Sequence, residues 1–212
     1  MDSATLDRGY LVGHAYGPIY NKHFSKINFK NMSKILEIGV STHGSQTFWK
    51  KYLPKVKYFG LDNRDLKHLE ANDINIFQGD QKNRNDLQQL VNSYGSNFDI
   101  IVDDGGHHMD EQQISLGFLF QHLKPGGIYV CEDLFSSWDS FKFPAVPWVK
   151  SYYRPNKSVP TSLQIFKQLE NNEPISSHYM SKEEADYLNK YVASCKIEIG
   201  RMSEIVFIKK SL

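Results

Sequence analysis

Two acidic pairs, Asp103-Asp104 and Glu132-Asp133, each end a short apolar run, and the first is followed at once by Gly105-Gly106-His107-His108. Carboxylates bind hard divalent cations, and imidazole serves as a general base near neutral pH. The runs before the acids, residues 98–102 and 128–131, have strand length and the apolar, β-branched character of strands covered on both faces. Parallel sheets place ligands beyond the carboxyl ends of their strands. The two acid pairs therefore meet around one cation if their strands are parallel neighbours. Strand alternation turns Asp103 away from Asp104, toward hydrogen bonds with backbone, so Asp104, Glu132 and Asp133 form the candidate metal set. A helix starting near Gly105 would place His107 three residues from Asp104 on one face, as a base with an ordinary pKa of about 6.5. His108 reads as a helix-surface residue.

Around these acids, the chain alternates strand and helix five times. Residues 34–40 form the first apolar run, and Gly39 opens a loop through Ser41-Thr42-His43-Gly44 into a helix over 45–52 with Ser45 as N-cap. A glycine turn before a helix N-terminus offers free N–H groups to a phosphate or to the carboxylate of an amino-acid-like cofactor. The second strand, 58–61, ends in Asp62, 23 residues beyond Gly39 (62 − 39), which suits a ribose diol or a cap for the next helix. A third strand, 74–77, leads to Asp80 and Gln81, placed to reach an adenine edge.

Helices are expected over 83–94 and 109–123, with Lys124-Pro125-Gly126-Gly127 stopping the second before the fifth strand. Further helices over 161–169 and 181–192 precede two strands, 196–199 and 205–209, joined by a tight turn; the second helix opens with the capping box Ser181-x-x-Glu184. Right-handed crossovers give a doubly wound, mostly parallel sheet with one antiparallel strand from the hairpin. Residues 1–32 read as an N-terminal segment with a short helix whose aromatics pack, His14 and Tyr16 being kept as site candidates. Residues 33–212 form the main domain, and the aromatic-rich 135–180 stretch reads as a lid or substrate-binding insertion.

The bulk composition narrows the classes. The chain has 212 residues, 40% of them hydrophobic, with 25 basic and 24 acidic side chains. That near-balance offers no basic field for a nucleic-acid backbone. No apolar run approaches the ~18 residues of a membrane span. Cys131 and Cys195 fit no metal or redox spacing and read as reduced core thiols of a cytoplasmic protein. A homo-oligomer, or a domain of a larger polypeptide, is compatible with all of this.

The run ILEIGVSTHGS, then YFGLDN, IFQGDQ, FDIIVDDGGHH and LKPGGIYVCEDL, resembles class I S-adenosylmethionine-dependent methyltransferases. More narrowly, DDGGHH, CEDL, GDQ and the early HAYGPIY resemble the metal-dependent sugar O-methyltransferases of the mycinamicin, macrocin and rhamnosyl-antibiotic group. The resemblance implies a Rossmann-like seven-stranded sheet in which the seventh strand inserts antiparallel between the fifth and sixth. It implies S-adenosyl-L-methionine held by Glu37, Gly39, Gly44, Ser45, Asp62, Asp80, Gln81 and Asp103. It further implies Mg2+ on Asp104, Glu132 and Asp133, His107 as base with Asp104 beside it, and a small sugar or glycoside as substrate. The cofactor loop departs from the resemblance, carrying Ser41-Thr42-His43 where the group has more glycine. A nicotinamide oxidoreductase, argued against by the missing G-x-G-x-x-G, and a non-catalytic module on the same fold are the competing readings.

Overall fold

The computed structural model describes residues 16–25, 27, 31–40, 44–138 and 158–212. Seven strands form one sheet in the order β3-β2-β1-β4-β5-β7-β6. They are β1 (Lys34–Ile38), β2 (Lys57–Asp62), β3 (Ile74–Gln78), β4 (Phe98–Asp103), β5 (Leu123–Cys131), β6 (Val192–Ile199) and β7 (Glu204–Lys210). The pairings β1–β2, β2–β3, β1–β4 and β4–β5 are parallel, and β7 runs antiparallel to both β5 and β6. The expected architecture, including the inserted last strand, is the observed one.

Alternation along each strand sorts the side chains into two cores. Ile35, Tyr58, Ile100, Val102 and Val130 pack on one face with Tyr20 and Phe24 of helix α1 (Gly17–Phe24) and Phe48 and Trp49 of α2 (Gly44–Tyr52). Leu36, Phe59, Ile101 and Tyr129 pack on the other with α3 (Arg84–Tyr94), α4 (Met109–Leu119), α5 (Ser162–Glu170) and α6 (Lys182–Tyr191). Each fully buried aliphatic side chain contributes roughly 1.5–3 kcal/mol, so these two layers dominate stability. Side-chain caps set several helix starts: Asn83 accepts from Asn85 N, Thr161 from Gln164 N and Ser181 from Glu184 N.

Three local expectations change. The Lys124–Gly127 stretch is not what stops α4, which already ends at Leu119 before a 3-10 turn over Phe120–His122. It opens β5, where a register shift opposite Phe98/Ile100 absorbs the proline and glycines and Gly126 N donates to Ser211 O at 3.1 Å. No helix starts at Gly105, since α4 begins at Met109 with His108 as N-cap and a capping box to Glu111. Helix α2 begins at Gly44, so Ser45 lies within its first turn instead of capping it.

The 1–32 and 135–180 segments are partly core. Tyr20 and Phe24 are buried, as are Phe135, Trp138, Ile165, Phe166 and Leu169. His14, Ser41 to His43 and residues 139–157 lie outside the described residues, as does the side chain of Ser45. Among the described residues, no helix is long and apolar enough to cross a membrane.

Candidate active site

The ends of β1, β4 and β5 lie side by side. Asp104 N donates to Ile38 O at 3.0 Å and Glu132 N donates to Asp103 O at 2.9 Å, extending the sheet by one step toward the loops. This brings the two acid pairs to one place, as parallel neighbours must. Gly39, at φ +82°, sits so close to the next loop that an added Cβ would meet Asp104 O at 2.0 Å. Glycine is required there by both the left-handed backbone and the contact.

Among the described residues, ligand atoms of Asp104, His107 and Asp133 all lie within 4.8 Å of one another. His107 Nε2 is 3.8 Å from Asp133 Oδ2. His107 reaches this position through an irregular loop at φ +62°, and not by a helical step from Asp104; Asp133 also holds a left-handed backbone, at φ +60°. The Gln112 amide spans the second acid pair from below, its Nε2 donating to Glu132 O at 3.2 Å and Asp133 O at 3.1 Å.

Glu132 and Asp133 are buried, and each meets a phenol, one from Tyr16 at the N-cap of α1 and one from Tyr20 within it. Tyr16 Oη donates to Asp133 Oδ1 at 2.6 Å, and Tyr20 Oη donates to Glu132 Oε1 at 2.5 Å. Burial and the charges of Asp133, Glu132 and Asp104 push the Tyr16 hydroxyl well above its ordinary pKa, so it stays a donor. Tyr16 thus takes a place at the site. Tyr20, read as packing from sequence, was missed. The signal was present in the four-residue spacing of two tyrosines on one helix face, since a buried phenol needs a polar partner.

Asp103, expected from sequence to bond backbone and to join the cofactor residues, ends β4. Its carboxylate is buried on the α4 side, accepting from Ser115 Oγ at 2.5 Å, Gln81 Nε2 at 3.0 Å, Tyr129 Oη at 3.1 Å and Gly105 N at 3.4 Å. Burial pushes it up to about 6, against the lowering effect of those hydrogen bonds. Asp103 therefore acts on the site through Gln81, whose Oε1 accepts from Gly106 N at 2.8 Å and fixes the glycine loop. An added Cβ on Gly105 would meet that same Oε1 at 1.9 Å.

The remaining cofactor candidates line the ends of β1 to β3. Glu37 is fully buried and accepts from Tyr58 Oη at 2.7 Å. Asp62, buried at the end of β2, is gripped by Arg64, with Nε donating to Oδ1 at 2.9 Å and Nη2 to Oδ2 at 3.0 Å. Asp80 closes a tight turn by accepting from Lys82 N at 3.0 Å. Burial pushes the Cys195 thiol up to about 12 and raises Cys131 well above its usual range, so neither is a nucleophile here.

No family model matches the chain. It is 36% identical to mycinamicin VI 2''-O-methyltransferase of Micromonospora griseorubida, over 66% of this chain and 36% of that protein. It is 34% identical to demethylmacrocin O-methyltransferase of Streptomyces fradiae, over 74% of this chain and 39% of that protein. Both matches span well under half of those relatives' length. Among solved structures, MycE methyltransferase from the mycinamycin biosynthetic pathway, in complex with Mg, SAH and mycinamycin VI, superposes with TM-score 0.71 and 28% identity. It covers 95% of this chain and 51% of that one. The chain thus has the class I methyltransferase fold and resembles, in sequence and in structure, the sugar O-methyltransferases of macrolide and tetracenomycin pathways.

Proposed function

We propose that this chain is the catalytic part of an S-adenosylmethionine- and Mg2+-dependent O-methyltransferase that acts on a sugar hydroxyl, presented as a glycoside or nucleotide sugar, in the cytoplasm. The observation that carries the reading is the meeting of Asp104, His107 and Asp133 within 4.8 Å at the carboxyl ends of parallel neighbours. The donor set fits a hard cation, because Mg2+ prefers oxygen, so Asp104 and Asp133, with Glu132 beside them, are the ligands and His107 is the base. Asp104 and Asp133 come together with one imidazole, a charge balance that a divalent ion corrects, while Glu132 is the residue before Asp133 and stands outside that group. MycE methyltransferase, which shares this fold, is solved with Mg and SAH, which supports the same pair of groups here.

When bound, Mg2+ supplies Lewis acidity to an acceptor hydroxyl and S-adenosylmethionine supplies the methyl group. The chain's own residues do the rest. His107 takes the hydroxyl proton at Nε2, and Asp133 Oδ2, 3.8 Å away, stabilises the imidazolium that forms. Gly39, Gly44 and the α2 N-terminus receive the amino-acid end of the cofactor, Asp62 its ribose, and Asp80 and Gln81 the base edge, with Glu37 and Ser45 adjoining. Alignment of acceptor and donor supplies much of the rate, as in any in-line displacement.

The test is methyl transfer from labelled S-adenosylmethionine to a panel of glycosides and nucleotide sugars, with Mg2+ and with chelator. Transfer that needs Mg2+ and lands on a sugar oxygen supports the reading. Equal transfer in chelator removes the metal, and no cofactor binding by calorimetry removes the enzyme.

A further inference from the structure

Two phenols, Tyr16 and Tyr20, reach the acids of the candidate cation site. Tyr16, the N-cap of α1, and Tyr20 are four residues apart and joined by Tyr20 N donating to Tyr16 O at 2.9 Å, so their side chains fall on one side of the helix start. Their hydroxyls donate separately to the two consecutive acids, Tyr16 to Asp133 Oδ1 at 2.6 Å and Tyr20 to Glu132 Oε1 at 2.5 Å. Bonds this short hold one oxygen of each carboxyl group in place. The Asp133 oxygen that Tyr16 does not hold is the one 3.8 Å from His107 Nε2.

The rings themselves have little freedom. Tyr20 meets Phe24, Trp49 and Phe207 edge-on, with centroids 5.4, 6.1 and 5.5 Å away. Helix α1 is further seated by His23, which stacks on Phe207 at 4.0 Å and contacts Glu198 Oε1 at 2.8 Å. Tyr16 also reaches Glu204 O on β7 at 3.3 Å.

We propose that Tyr16 and Tyr20 are positioning residues for a divalent cation, so that cation binding and the docking of α1 reinforce each other. The inference rests on the reading that Asp104, Glu132 and Asp133 hold that cation. If the phenols fix one oxygen of each acid, then removing a hydroxyl frees the carboxylate to rotate and weakens the site, with no loss of ring packing. Outer partners of metal ligands contribute roughly 10- to 100-fold in affinity. Linkage requires the reciprocal effect: a cation that favours the docked helix must also hold it down.

Mn2+ titration by calorimetry on wild type, Tyr16→Phe and Tyr20→Phe should give affinities roughly 10- to 100-fold weaker in each variant. Methyl transfer should recover in both variants at high Mg2+, with kcat near wild type and a raised Mg2+ requirement. A purely structural role would not move that requirement. Independently of any variant, amide exchange of residues 17–24 in the wild-type chain should slow when Mg2+ is added. Wild-type Mn2+ affinity in both phenylalanine variants, or identical exchange with and without Mg2+, overturns the inference and leaves the cation site standing. Absence of Mn2+ binding in wild type overturns the two together.

Discussion

His107 and Asp133 face each other across 3.8 Å, and both hold left-handed backbone at φ +62° and +60°. Of the four non-glycine residues with positive φ among those described, the other two are Asn97 and Asn172, the residue type that tolerates this region best. The strain is therefore gathered at the two side chains that chemistry would use, and the packing around them sustains it.

That strain predicts an inverted ranking of substitutions at position 107. His107→Gly suits φ +62° and His107→Ala does not, so the glycine variant should be more stable by about 1 kcal/mol. Urea denaturation of both measures it. Both variants should lose methyl transfer alike, about 100-fold or more, because neither has a base. An alanine variant as stable as the glycine one removes the claim of strain.

Asp104 offers the cleanest separation of metal from cofactor. Asp104→Ala should lose Mn2+ binding and Mg2+-dependent turnover by about 100-fold or more, while calorimetry with S-adenosylmethionine shows affinity close to wild type. Turnover that persists in chelator would contradict the assigned role.

Asp103 carries a pH signature. Its folded-state pKa of about 6 lies above the ordinary 3.8, so the unfolded chain releases this proton first. Its contribution is present in full below about pH 4 and is lost as pH rises through about 6, a decline of about 3 kcal/mol for this one group. Asp103→Asn should flatten that decline, seen as a smaller difference between unfolding free energies at pH 4 and pH 7. Parallel curves for the two proteins would refute it.

The two glycine contacts differ in what can yield. At Gly105 an added methyl meets the end of Gln81, whereas at Gly39 it meets the backbone of Asp104. Gly105→Ala should cost about 1–3 kcal/mol and be partly rescued by Gln81→Ala, a coupling that a double-mutant cycle reads directly. Gly39→Ala should cost more, and no change at Gln81 should rescue it.

The sheet was legible because alternating and helical periods marked nearly every element, and the hairpin announced its antiparallel strand. The meeting of Asp104, His107 and Asp133 was legible because the acids end apolar runs on neighbouring parallel strands; Glu132, read with them, lies outside that cluster. The route by which His107 arrives was not, since Gln81, 25 residues earlier than Gly106, sets the loop by a hydrogen bond that no local pattern encodes. Pro125-Gly126-Gly127 misled because those residues ordinarily end helices, while here a register shift takes them into a strand. Tyr20 was hidden for a similar reason. Its partner lies 112 residues away, and a phenol on a short amphipathic helix looks like packing until the fold supplies a carboxylate.

The place of β7 bears on how the molecule is made. This strand, Glu204–Lys210, is the last of the sheet to leave the ribosome, yet it sits between β5 and β6. Until it arrives, β5 has an open edge and β6 has no neighbour to join. Translation therefore delivers the scaffold under Glu132 and Asp133 unfinished, and the sheet can close around β7 only once synthesis has run past Lys210.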